Sequence, residues 1–284
     1  MRNLICVFLS LICLFAFAGC GGDKKTEEED ELCFDETEFY ITSGENDVYC
    51  KLYVPRVEGS LPAVILSHSA KMTAESMNSY AKGFASRGFV ACSFDFCGGS
   101  SQSRSGGTEE DMTIFTEKDD LKAVVAAVCA REEVDEERIY LFGTSQGGFV
   151  SALVANDCPE DIAALILMYP AFNIPLLAQN ATASETDRNY IDSLQGFDAY
   201  ENIGNYKGNV LILHGSNDFI VDKSYSERAA EVYENCKLVI VQGATHGFNG
   251  ENLSVGGFDL SVLFGNYDET VWLEIDAFLK ANES

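Results

Sequence analysis

From residue 37 onward the chain alternates between short apolar runs and longer amphipathic stretches. Residues 63–66, 89–94, 138–142, 163–168, 210–213 and 238–241 are the apolar runs. Runs of this length predict strands buried on both faces of a sheet. Between them, residues 74–87 place Met77, Tyr80, Ala81, Phe84 and Ala85 on one helical face, and Gly88 stops that helix. Residues 117–130 carry Leu121, Val124, Val125 and Val128 at helical spacing, and 146–155 and 225–234 read as further helices. A stripe of Val271, Trp272, Ile275, Phe278 and Leu279 predicts a terminal helix. Near the start, residues 38–41 and 48–54 flank Ser43-Gly44-Glu45-Asn46, the pattern of an antiparallel hairpin. Strands that alternate with helices predict the α/β class, with a mostly parallel sheet covered on both faces. No internal repeat is visible.

One segment breaks this rhythm. Residues 173–206 are polar and carry no strong strand pattern. A stretch this long exceeds an ordinary connection, so it predicts a cap over a site, with a surface insertion as the alternative.

The first residues read as an address. Arg2 precedes a nearly unbroken apolar run over residues 4–18, too short to span a bilayer comfortably. The run ends in Phe17-Ala18-Gly19-Cys20, which is similar to the cleavage site of a bacterial lipoprotein, with Phe17 where Leu is usual. We therefore expect residues 1–19 to be a signal peptide and Cys20 to be lipidated, with plain secretion as the alternative. Residues 20–36 hold the acidic run Glu27-Glu28-Glu29-Asp30-Glu31 and predict a solvated tether. The globular domain is then expected over 37–284, extracytoplasmic and held at the cell membrane by its lipid alone.

Composition narrows the partners. Lys plus Arg number 19 and Asp plus Glu 45, a net charge of −26. So acidic a chain cannot neutralise phosphates, which excludes nucleic acid, and anionic lipid should repel it. Seven cysteines lie beyond Cys20, an odd number with no C-x-x-C pair. That pattern predicts free or buried thiols rather than a complete disulfide framework, with one or two disulfides as the alternative. No cluster of His, Cys and carboxylate at ligand spacing is present, so neither metal nor cofactor is implied.

Chemistry concentrates in Gly143-Thr144-Ser145-Gln146-Gly147, between an apolar strand and a helix. A sharp strand-to-helix turn strains the serine backbone and lifts its hydroxyl above the sheet edge. A serine is a weak nucleophile without a base, and the chain holds only His68, His214 and His246. Of these only His246 follows both the serine and a candidate acid, in the loop after the last strand. Asp218, 73 residues after Ser145 and 28 before His246, is the expected acid. Its rival Asp222 suits the start of the next helix better. An oxyanion hole requires two backbone N–H donors. Gln146 supplies one, and the loop Ser67-His68-Ser69-Ala70 the other, with Ala70 preferred over Ser69. His68 is expected to bond loop backbone.

On these residues the chain resembles the alpha/beta-hydrolase superfamily across residues 37–284, and within it bacterial cinnamoyl/feruloyl-type carboxylesterases. The resemblance rests on 143–148, on Ser93-Phe94-Asp95-Phe96-Cys97-Gly98-Gly99-Ser100, on His214-Gly215-Ser216-Asn217-Asp218 with Thr245-His246-Gly247, and on 164–171 leading into Asn173-Ile174-Pro175. It implies an oxyanion N–H two residues after His68, which is Ala70. The chain departs from the family at Ser69, where the pattern has Gly, and at Gly98-Gly99, where it has Gly-His-Gly. It implies a serine hydrolase acting on a small-molecule ester, hydroxycinnamoyl esters among the options. A serine peptidase of the prolyl-oligopeptidase or aminopeptidase kind, and a surface-binding lipoprotein without activity, are the competing expectations.

Overall fold

The computed structural model describes residues 32–180, 188–248, 254–255, 258–259 and 266–282. The expected signal peptide, Cys20 and most of the tether lie outside the described residues. The domain begins earlier than residue 37. Strand β1 (Phe34–Ser43) pairs with β2 (Asn46–Pro55) from Phe34↔Pro55 to Ser43↔Asn46, so only Gly44 and Glu45 form the turn. The expectation of 38–41 was too short because β1 is an edge strand. Its ladder is set by backbone bonds to β2, while most of its side chains stay in solvent.

The remaining strands are β3 (Leu61–Ser67), β4 (Val90–Phe94), β5 (Val134–Thr144), β6 (Ala164–Met168), β7 (Asn209–Gly215) and β8 (Cys236–Val241). They form one eight-stranded sheet in the order β1-β2-β4-β3-β5-β6-β7-β8. From β4 to β8 every pairing is parallel; β1–β2 and β2–β4 are antiparallel. Residues 254–255 and 258–259 form a separate two-stranded pair. Strand β5 starts before the expected 138. Its first residue pairs as Val134↔Leu61, and a register irregularity precedes Ile139↔Ala63.

The helices are α1 (Asn78–Ala85), α2 (Ile114–Cys129), α3 (Ser145–Asp157), α4 (Ile174–Asn180), α5 (Arg188–Ser193), α6 (Ser224–Val232) and α7 (Asp268–Asn282). The stretch 74–87, read as one helix, divides into a 3-10 turn (Ala74–Met77) and α1. Helix α2 starts at a reciprocal cap, in which Thr113 and Thr116 each accept the other's backbone N–H. Among the described residues no helix is long and apolar enough to cross a membrane.

Strand alternation divides the core in two. Ile65, Leu141, Leu165 and Ile212 face one side with α2, α3 and Ala229 of α6. Val64, Phe142, Ile166 and Leu211 face the other with α1 and α7. Neighbouring positions on one strand thus serve opposite cores, as the pleat dictates. The segment 173–206 contributes Leu194, Tyr200, Ile203 and Tyr206 to the first core. Its residues 181–187 lie outside the described residues.

Phe84 is fully buried and packs edge-on against Phe89, Phe142 and Trp272. Phe84→Ala should lower the unfolding free energy by about 3–5 kcal/mol, read from urea denaturation. A loss under about 1 kcal/mol would mean that the α1–α7 face closes around the missing ring.

Candidate active site

The strand β5 ends and α3 begins at a single point, Ser145, whose φ is +49°. That left-handed backbone is costly for a residue with a Cβ and persists only where the surroundings enforce it. The flanking glycines make it possible. A Cβ on Gly143 would sit 2.4 Å from the Gly147 carbonyl oxygen, and one on Gly147 would sit 2.3 Å from that of Ser67. The elbow therefore touches the end of β3 directly, and no larger residue fits at either position. Ala171 donates its N–H to the Ser145 carbonyl at 2.9 Å, tying the end of β6 to the same turn.

Ser145, Asp218 and His246 come together. His246 Nε2 lies 3.1 Å from Ser145 Oγ, and His246 Nδ1 lies 2.7 Å from Asp218 Oδ2. An ionised carboxylate only accepts, so Nδ1 carries the proton and the Nε2 lone pair faces the serine hydroxyl. Asp218 is fully buried at its side chain. Its Oδ1 accepts the backbone N–H groups of Ile220 and Val221, each at 2.9 Å. Burial alone would raise this carboxyl. The hydrogen bonds from His214, His246 and Val221 outweigh it and hold Asp218 well below the usual carboxylate range. The two loops are also tied to each other: Gly243 donates to Ser216 Oγ at 2.8 Å, and Asn217 donates to the Ala244 carbonyl at 2.9 Å.

Asp222, the rival acid, accepts the Ser224 N–H at 2.9 Å at the start of α6 and does not touch His246. His68 is buried between backbone groups. Its Nε2 accepts from Phe96 N–H at 3.2 Å, so Nδ1 is the donor to the Ser69 carbonyl at 2.8 Å. Burial lowers its pKa, which keeps this ring neutral. Gln146 lies in the first turn of α3 and is buried. Ala70 is exposed in the loop after β3, next to Ser69, whose Oγ lies 2.9 Å from Thr144 Oγ1. All seven described cysteines are free.

Two residues near this site escaped sequence reasoning. His214 is fully buried at its side chain, with Nε2 at 2.8 Å from the Val221 carbonyl and 3.2 Å from Asp218 Oδ2. A carbonyl cannot donate, so Nε2 carries the proton and shares it with the acid. Ser226 Oγ faces the other nitrogen at 2.7 Å. The position of His214 at a strand end was visible; its partners were not. Glu117 of α2 is also fully buried. It accepts from Gln146 Nε2 at 2.6 Å and from Tyr190 OH at 2.9 Å, linking α3 to α5 of the 173–206 segment. A polar residue at a core position of an amphipathic helix was its only trace in the sequence.

Comparison with known proteins agrees with this architecture. The sequence pattern described as Hydrolase_4, serine aminopeptidase S33, matches residues 60–188. The solved structure of Est1E from Butyrivibrio proteoclasticus with ferulic acid bound superposes with a TM-score of 0.73, covering 86% of this chain and 98% of that one at 24% identity. A dienelactone hydrolase structure from Klebsiella pneumoniae gives a TM-score of 0.67, covering 89% and 99% at 17% identity. The chain has the alpha/beta-hydrolase fold. The quorum-quenching protein AidA of Acinetobacter baumannii is 31% identical over 130 residues, which is 44% of this chain and 41% of that relative.

Burial raises the Glu117 carboxyl to about 8, against the hydrogen bonds from Gln146 and Tyr190. An acid raised on folding stabilises the protein in its protonated form. That contribution is complete below the ordinary value of 4.5 and is lost as pH rises through about 8. Glu117→Gln removes the titration while keeping an acceptor for Gln146 and a donor for Tyr190. Between about pH 5 and about pH 9 the wild-type melting temperature should fall relative to that of Glu117→Gln. A difference that stays constant over this range would contradict the burial argument.

Proposed function

We propose that the protein is a serine hydrolase that cleaves small carboxylic esters through an acyl-enzyme, outside the cytoplasm, anchored by lipid on Cys20. The observation that carries this reading is the continuous hydrogen-bonded line from Asp218 through His246 to Ser145. Ser145 Oγ attacks the ester carbonyl carbon as its proton passes to His246 Nε2. Asp218 holds the imidazole in the required tautomer and stabilises its charged form without taking the proton. The carbonyl electron pair moves onto oxygen, where the backbone N–H groups of Gln146 and Ala70 receive it. Loss of one such donor typically lowers turnover about 10²–10³-fold. Collapse expels the alcohol, which takes the proton from Nε2. Water then repeats the sequence on the acyl-serine and releases the acid.

Hydroxycinnamoyl esters enter the substrate range through the likeness to Est1E, which was solved with ferulic acid. The match to the serine aminopeptidase pattern favours a second reading, a peptidase. An aminopeptidase needs a free carboxylate to hold the substrate amine. Glu117, the buried carboxyl nearest Gln146, is already engaged by two donors, which supports the ester reading.

Ser145→Ala should reduce hydrolysis of a short-chain nitrophenyl ester by at least about 10⁴-fold. Undiminished turnover would end the proposal. A panel of matched esters and amides separates the two readings, with esters expected to turn over and aminoacyl amides not. Failure of the wild-type protein to react with a fluorophosphonate would instead favour a binding lipoprotein without activity.

A further inference from the structure

Four non-glycine residues have positive φ among the described residues: Lys71 (59°), Ser145 (49°), Tyr169 (39°) and Phe248 (47°). They come from four separate loops, yet all belong to one neighbourhood. Lys71 lies two residues after Ser69, in the loop that follows β3. Tyr169 directly follows β6, and its N–H is held by the Leu213 carbonyl at 2.7 Å. Phe248 follows His246 by two residues, and its ring meets that of Tyr169 at 5.2 Å. Strained backbone of this kind lasts only where neighbouring contacts over-determine it.

Tyr169 is where those contacts meet. Its ring lies 4.5 Å from the His246 imidazole, tilted by 59°, and forms one wall of the base. Its hydroxyl is buried in the neighbourhood of the Thr144 and Ser69 hydroxyls. Those two hydroxyls are themselves 2.9 Å apart. Three hydroxyls from three loops thus gather at one place, with the Ser69–Thr144 bond joining two of those loops. Thr144 is the residue before Ser145, and Ser69 is the residue before Ala70. Ser69 is also one of the positions where this chain departs from the Gly of similar hydrolases, and only a side chain can make the contact.

We propose that Ser69, Thr144 and Tyr169 form a hydroxyl clamp that fixes the β3 loop against the serine elbow, with Tyr169 as a positioning residue for both His246 and the oxyanion loop. The clamp touches no reacting atom. It acts by holding Ala70 and Gln146 at the spacing a tetrahedral oxyanion requires, where a misplacement of about 1 Å lowers turnover by as much as about 10²-fold. The inference rests on Ser145 being the nucleophile.

The test compares Tyr169→Phe, Ser69→Ala and the double variant, all of which keep the local packing. Each single variant should lower kcat on a short-chain nitrophenyl ester about tenfold, leave KM within about twofold, and slow fluorophosphonate labelling of Ser145 in parallel. The double variant should be no slower than the slower single, since both remove one cluster. Melting temperatures should stay close to wild type. Wild-type kcat in either single variant would overturn the clamp, as would a double variant whose losses multiply. A fall in melting temperature with unchanged kcat would make the cluster merely structural and overturn it as well. A wild-type protein that neither hydrolyses the ester nor reacts with the fluorophosphonate refutes the serine-hydrolase reading itself. Normal wild-type labelling with equally fast variants refutes only the clamp.

Discussion

The constraint on which the site depends is backbone against backbone: the turn at Gly143–Gly147 rests on the carbonyls that end β3. Strands β3 and β5 are parallel neighbours, paired from Ala63↔Ile139 to Ser67↔Gly143, so both reach the same edge at the same height. Without side chains at 143 and 147, helix α3 can start immediately where β5 stops. That start throws Ser145 into left-handed backbone and exposes its hydroxyl to the loops after β7 and β8. Everything chemical in the fold follows from this contact, because it fixes the one atom that the other loops must reach.

Around that point the protein solves an electrostatic problem with neutral donors. A chain of net charge −26 places a buried carboxylate at the centre of its site. The groups that hold Asp218 are not lysines or arginines. Two backbone N–H groups and two imidazoles satisfy it instead. Fixed dipoles of this kind stabilise the charge without neutralising it, so the carboxylate stays able to hold the His246 proton in place. Glu117, a few residues away from the serine through Gln146, is treated in the opposite manner. Burial prevails over its two donors, and the same type of side chain is driven toward its neutral form.

Much of this was readable before any coordinates. Alternation of strand and helix, the glycine-framed serine, and the chain order of Ser145, Asp218 and His246 all rest on local pattern, and the structure brings these three together. What escaped depends on contacts between distant segments. Glu117 on α2 meets Tyr190 across 73 positions, and His214 acquires meaning only once Asp218 folds back beneath it. Strand β1 ran longer than its hydrophobicity suggested because an edge strand borrows its register from its neighbour. The early start of the domain at Phe34 has the same origin, since Phe34 packs edge-on against Tyr53.

The pleat of the sheet also separates two kinds of responsibility. Phe248, Ala244 and Tyr169, which back the base, belong to the layer shared with α1 and α7. The insertion between β6 and β7 roots its aromatic residues in the opposite layer, with α2 and α3. A lineage could therefore lengthen, shorten or replace that insertion and so change what the site admits, while the scaffolding beneath the imidazole on the far side stayed untouched.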